Sequence, residues 1–134
     1  MDIEAIRAGK IKQLAGADLE DEDLSHSLLE RVNFAGATLV GVNLTQSNLK
    51  GARLDGANLI GATLSNADLR ANFLGANLMQ ADLSGADLRG SNLRGANLGG
   101  ANLTGANLLC AELEGTNLSG TNLDRACTLG TLAK

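Results

Sequence analysis

The side chains that most often carry nucleophilic, acid–base or metal chemistry are few and scattered in this sequence. His26 is the only histidine, and the two cysteines, Cys110 and Cys127, lie far from it along the chain. No serine or cysteine stands at a recognisable spacing from His26, so no nucleophile–base pair is indicated. Two isolated cysteines and one distant histidine form no metal-ligand set. We therefore predict that the protein is not an enzyme and binds no metal or cofactor.

Acidic residues concentrate in one short segment, 18–23, which has the sequence DLEDED. Closely spaced carboxylates can work as an acid–base pair, but such a run is more often a solvated end of a domain. Glu22 falls at a position that should point inward, where an unpaired carboxylate is costly. We therefore expect Glu22 to lie near solvent or beside a partner such as Lys12.

The elements that position these residues are set by a repeat of five residues. It is most regular over residues 86–108, which read ADLRGSNLRGANLGGANLTGANL. A helix turning about 100° per residue would spread leucines spaced five apart around its surface. A flat strand would point successive leucines to opposite faces. A chain that bends once per unit keeps every Leu on one axis, which predicts a square coil of about twenty residues.

Each unit has a small residue, a polar residue, a central Leu or Phe, a first corner and a second corner. All glycines except Gly9 and Gly99 fall at the second corner. The third residue of a type II turn needs a positive φ, which glycine adopts without a Cβ clash. The pattern therefore predicts a tight turn after every central residue, and we expect the hydroxyl and Asn columns to stack as ladders of like side chains.

The repeated A(D/N)LxG unit resembles the pentapeptide-repeat protein family, and the resemblance covers roughly residues 17–126. It implies an all-β fold, a right-handed quadrilateral parallel β-helix of about 5–6 coils with Leu, Phe and Ala inside. The predicted organisation is a single domain over 1–134. Within it, 2–8 form a short N-terminal helical cap or a frayed terminus, 14–69 and 71–126 are two repeat blocks, and 127–134 close the C-terminal end.

The two repeat blocks meet at a register slip. Four residues separate the centres Leu69 and Phe73, where five are expected, so one second-corner residue is missing between Arg70 and Ala71. We interpret the slip as a tightened corner absorbed within one coil, and a hinge is the alternative.

Because the central residues should be buried, any binding function must lie at the polar and corner positions. One column of first corners is apolar and contains Val40, Ile60 and Met79. Exposed apolar patches tend to mark contacts, so this column is a candidate partner-binding site.

A second column of first corners is basic and contains Lys50, Arg70 and Arg89, a candidate site for an anionic partner. Asp68 and Asp87 belong to the same units as the two arginines and are expected to pair with them, which would leave a solvated, neutralised surface.

The two ends of the sequence suggest a cytoplasmic protein and a further contact. The N-terminus has no apolar run of signal-peptide length, and no segment is long and apolar enough for a membrane span. Cys110 and Cys127 are expected to be free thiols. Leu123, Leu129 and Leu132 leave an apolar C-terminal end thinly covered, which suggests a homodimer or end contact there, with a monomer as the alternative.

The predicted function is a structural or interaction scaffold for an unknown protein partner, without direct binding of nucleic acid or membrane. The family resemblance implies an alternative, since some members mimic duplex DNA, bind DNA gyrase and other type II topoisomerases, and protect them from quinolones. Mimicry requires an acidic rod. The formal net charge is −4, but the acidic excess lies at one end and the repeats themselves are near neutral.

Overall fold

The computed structural model describes residues 1–131, and within them the chain winds as a four-sided coil. Parallel β-bridges join the polar position of each unit to the equivalent unit of the next coil. They form four ladders, here called sides 1 to 4. Side 1 contains Gln13, Asn33, Arg53, Asn72, Asn92 and Glu112, and side 2 contains Asp18, Thr38, Asn58, Asn77, Asn97 and Asn117. Side 3 contains Asp23, Asn43, Thr63, Asp82, Asn102 and Asn122, and side 4 contains Leu28, Asn48, Asp68, Asp87, Asn107 and Cys127.

The register of these ladders changes at the slip. Bridged residues are 20 positions apart along most of the coil, as in the pair Asn33 and Arg53. The pairs from Arg53 with Asn72 to Asp68 with Asp87 are 19 apart, and a separation of 20 returns at Asn72 with Asn92. The missing residue therefore shortens one coil, and the ladders continue on both sides of it.

The second corners adopt the predicted backbone conformation. Glycines at this position have φ between +64° and +74°. The residues other than glycine at second corners, such as Asp21, His26 and Gln80, have φ between +55° and +61°. Because the left-handed region costs a residue with a Cβ about 1–2 kcal/mol, the excess of glycine has a direct physical cause.

The polar positions do not mainly form the ladders of like side chains that we expected. Their Asn and Asp Oδ1 atoms instead accept a hydrogen bond from the first-corner N–H two residues later, as Asn58 does from Ile60 at 3.2 Å. Stacked amides occur at the ends of the coil, where Asn117 Nδ2 donates to Asn97 Oδ1 at 3.0 Å. The corner N–H needs a local acceptor, and a short side chain with an oxygen at this position supplies one.

The core is a column of the central residues, and the small residues of each unit are buried beside them. Every central residue from Leu19 to Leu108 is at most 1% exposed, including Phe34 and Phe73. Exposure rises toward the C-terminal end of the described chain, where Leu118 is half-buried and Leu123 is 39% exposed. The interior is therefore filled by side chains, and the only polar residues fully buried within residues 1–131 are Ser27, Ser47 and Ser91.

One helix, α1, spans Ile3–Arg7 and lies against the first coil. Its N-cap is Asp2, whose Oδ1 accepts from Ala5 N–H at 3.0 Å. Ile6 is completely buried. The helix also occupies an edge of side 4, because Leu28 N–H donates to the Arg7 carbonyl at 2.9 Å.

Glu22 on the acidic first coil was expected near solvent or beside Lys12, and the structure favours the first alternative. Glu22 is half-buried at the open end of the coil. It forms no ion pair with Lys12, whose Nζ donates to the Glu30 carbonyl at 3.0 Å instead. A carboxylate at an inward position is tolerated here because no further coil covers it.

Two kinds of feature are absent from the part of the chain that the structure describes. No helix in residues 1–131 is long and apolar enough to cross a membrane. Over the same residues, His, Cys, Asp and Glu side chains form no group able to hold a metal ion.

Candidate functional site

The basic column runs down the corner between side 4 and side 1. Lys50 is exposed, and its carbonyl accepts the N–H of Arg31 at 3.0 Å, while the Arg70 carbonyl accepts the N–H of Gly51 at 2.9 Å. Lys50 and Arg70 are therefore each tied by the backbone to the coil above them. Successive side chains are held about one strand spacing apart, roughly 4.8 Å.

The predicted pairing of the two arginines with Asp68 and Asp87 is confirmed. Arg70 Nε and Nη2 donate to the two oxygens of Asp68 at 2.9 and 2.6 Å. Arg89 makes the same fork to Asp87, at 2.8 and 2.7 Å. Asp87 also lies 3.5 Å from Arg70 Nε, so one carboxylate links both guanidinium groups. Forked contacts of this kind fix the plane of each guanidinium.

These contacts shift the pKa values of the two acids in the same direction. The side-chain hydrogen bond from Arg70 lowers the pKa of Asp68, and that from Arg89 lowers the pKa of Asp87, in both cases against the opposing effect of burial. The pKa of Arg70 is raised, chiefly by its hydrogen bond to Asp68. Both pairs therefore stay ionised at neutral pH and keep the arginines in place.

A notch of about 380 Å³ opens at the same corner, where the second-corner residue is missing. Gly51 and Gly90 belong to the coils above and below the shortened corner, and Arg70 and Ala71 form it. Its wall is completed by basic and amide side chains and one small residue: Arg53, Arg89, Asn72, Asn92 and Ala52. The slip therefore produces a concave surface with three arginines around it.

The apolar column lies on a different corner, between sides 2 and 3. Val40, Ile60 and Met79 are each half-buried. Their carbonyls accept N–H groups from the coils above them, as Ile60 does from Gly41 at 3.0 Å, so the three stack directly. Gly99 occupies the same corner in the next coil and has no side chain, so the apolar strip ends at Met79.

The residues predicted to form an end contact are exposed where the structure describes them. Leu129 is 71% exposed and Leu123 is 39% exposed, whereas Leu132 lies outside the described residues. Cys110 and Cys127 are free thiols, as predicted, and Cys110 is the more exposed of the two. His26 is exposed on the first coil.

Sequence reasoning did not include Arg53 in the basic surface or predict the notch. Arg53 occupies a polar position on side 1, not a first corner, so it stands outside the column Lys50, Arg70 and Arg89. The available signal was the slip itself, because removing a corner residue brings two adjoining sides closer together.

The family model described as pentapeptide repeats matches residues 13–46, 39–71, 69–95 and 96–127. The chain belongs to the pentapeptide repeat family. Proteins of this family form right-handed β-helices, and the four parallel ladders are that architecture in this chain.

Solved pentapeptide repeat proteins resemble the chain over most of its length. HetL from the cyanobacterium Nostoc sp. strain PCC 7120 is 30% identical, with a TM-score of 0.50, over 90% of this chain and 70% of HetL. Rfr23 from the cyanobacterium Cyanothece 51142 is 31% identical over 91% of this chain and 88% of Rfr23, with a TM-score of 0.29. QnrB1, a plasmid-mediated fluoroquinolone resistance protein, is 21% identical over 90% of this chain and 70% of QnrB1, with a TM-score of 0.49. No curated protein sequence matches the chain.

Proposed function

We propose that this pentapeptide repeat protein is a non-enzymatic scaffold that binds a protein partner through its outer surface. The observation that carries the proposal is the filled interior: central residues are buried throughout the middle of the coil, and no charged side chain within residues 1–131 is fully buried. A rigid coil presents outer side chains in fixed columns, which suits recognition. HetL, a similar protein, is described as involved in the regulation of heterocyst differentiation, which is consistent with a regulatory contact role.

Two columns are proposed as contact surfaces, the basic column Lys50, Arg70 and Arg89 and the apolar column Val40, Ile60 and Met79. Capture of partners from the native cell by immobilised wild-type protein tests the proposal. Ile60→Lys is expected to weaken capture if the apolar column takes part. Thr45→Lys is the matched control, because it is a half-buried first-corner position of another column. Failure of the wild type to retain any partner contradicts the scaffold function.

A homodimer through the C-terminal end is a second part of the proposal. Leu123 and Leu129 are apolar and exposed there, and burying both would remove apolar surface from water. Leu123→Glu with Leu129→Glu is expected to lower the sedimentation coefficient to that of a monomer. Leu74→Glu, at an exposed leucine away from this end, should leave it unchanged. A wild type that sediments as a monomer at high concentration contradicts the dimer.

The alternative of gyrase protection requires rows of acidic charge free to replace DNA phosphates. Asp68 and Asp87 on side 4 are paired with arginines, which argues against it on this side. A supercoiling assay with gyrase and a quinolone tests it directly. We expect no protection.

A further inference from the structure

At the shortened corner, the backbone carbonyl of Arg89 accepts no hydrogen bond within residues 1–131, although the carbonyls of Arg70 and Leu109 in the same column do. At this corner the second-corner N–H donates to the first-corner carbonyl of the next coil, as Gly51 does to Arg70 and Gly90 does to Leu109, both at 2.9 Å. The residue that would donate to Arg89 is the one missing from the sequence. Within residues 1–131, no group donates to the Arg89 carbonyl.

The same corner also leaves an N–H unpaired. At regular corners the small residue donates to the preceding central carbonyl, as Ala52 does to Leu49 at 2.9 Å. Among the described residues, Ala71 N–H has no acceptor and the Leu69 carbonyl has no donor, because one residue fewer separates them. The notch therefore contains a free backbone donor at Ala71 and a free acceptor at Arg89.

A buried hydroxyl beside the notch shows the same disturbance. Ser91, between the lining residues Gly90 and Asn92, is 1% exposed, and its Oγ has no hydrogen-bond partner among the described residues. Hydroxyls at equivalent positions do have partners, since Ser47 donates to the Leu24 carbonyl at 2.6 Å and Thr116 donates to the Leu93 carbonyl at 2.7 Å. Buried polar atoms without partners are uncommon in proteins.

The charges around the notch favour a singly charged ligand group. Arg53, Arg70 and Arg89 line it, and Lys50 beside it forms no ion pair within residues 1–131. Asp55, Asp68 and Asp87 each pair with one of these arginines and would repel a doubly charged phosphate more strongly than a carboxylate. Peptide backbone supplies both a donor for the Arg89 carbonyl and an acceptor for Ala71 N–H, whereas a free carboxylate supplies only an acceptor.

We propose that the notch binds an acidic segment of a protein partner, with a Glu or Asp carboxylate among the arginines and the segment's backbone at Ala71 and Arg89. This inference rests on the scaffold function and assigns the chemistry of its partner. The missing corner residue makes the site, because a regular corner would fill the notch and use both backbone groups.

The test measures binding of a fluorescent polyglutamate peptide to the full chain at low salt, with polyglutamine as the neutral probe. We expect wild-type protein to bind polyglutamate but not polyglutamine, and added salt to weaken binding. Arg70→Gln with Arg89→Gln should weaken it by about tenfold or more. Arg125→Gln, at an exposed corner elsewhere, is the control and should have little effect.

The decisive variant inserts one glycine between Arg70 and Ala71, which restores a regular corner and leaves every charge in place. Loss of polyglutamate binding, with an unchanged circular dichroism spectrum, supports the notch. Unchanged binding overturns it, as does inorganic phosphate displacing the peptide at concentrations where acetate does not. If the glycine variant still captures the native partner, the notch proposal fails and the scaffold function stands.

Discussion

One repeat unit offers a direct test of how each position stabilises the coil. Leu59, Ile60 and Gly61 are consecutive and occupy the centre, first corner and second corner on side 2. Leu59 is completely buried and Ile60 is half-buried. Gly61 has φ +67°, and no atom lies within 4 Å of the position that a Cβ would take there. Alanine therefore removes core packing at Leu59, removes surface contact at Ile60, and adds only backbone strain at Gly61.

The expected losses in free energy of unfolding follow from these environments. Leu59→Ala leaves a cavity in the central column and should cost about 2–5 kcal/mol. Gly61→Ala places a Cβ residue in the left-handed region and should cost about 1–2 kcal/mol. Ile60→Ala should cost less than about 1 kcal/mol, because its side chain stays partly in water. The predicted order is Leu59, then Gly61, then Ile60.

Urea unfolding followed by circular dichroism measures this order, provided that the slope of free energy against urea is the same for all three variants. A cost for Ile60→Ala equal to or above that for Leu59→Ala would refute the inward assignment of the central residues. A neutral Gly61→Ala would refute the strain argument for the second corners.

Two further predictions concern polar groups. Ser47→Ala should lower the free energy of unfolding by about 1 kcal/mol, because it removes the hydroxyl that donates to the Leu24 carbonyl. Ser91→Ala should be neutral or stabilising, because that buried hydroxyl has no hydrogen-bond partner among the described residues. Thermal unfolding compares the two variants, and an equal loss of stability would contradict the assignment of a partner to Ser47 alone. Asp68 and Asp87 have lowered pKa values in the folded state, so their contribution to stability is present above the unfolded pKa of about 3.9 and is lost as pH falls through the folded values. Asp68→Asn with Asp87→Asn should therefore be less stable than wild type at pH 7, and the difference should shrink in acid unfolding below about pH 4; a difference that does not depend on pH would exclude the ion pairs as its cause.

Much of the fold was predictable because its rules are local. The period of five requires one bend per unit, and the left-handed backbone at second corners selects glycine. The burial of Leu59 and the exposure of Ile60 follow from their places in the unit. Even the pairing of Arg70 with Asp68 was predictable, since the two residues are separated by one position on a bend whose shape is repeated throughout the chain.

Other features depended on the coil being assembled. The Asn side chains were expected to stack, but most of them bond to their own corners, because a first-corner N–H lies within reach of the same unit's oxygen. The partner of Lys12 also required three-dimensional information, since the Glu30 carbonyl reaches it from a different part of the first coil.

The sequence by itself determined the four-sided coil, the buried column of Leu and Phe, and the position of the slip, because each depends on spacing within a few residues. Only the tertiary structure decided what the slip does. It brings Arg53 from side 1 to Arg70 and Arg89 on the neighbouring corner, across coils that are about twenty residues apart in sequence. The unpaired groups at Ala71 and Arg89 likewise result from stacking, because the coil that contains Arg70 and Ala71 has one corner residue fewer than its neighbours.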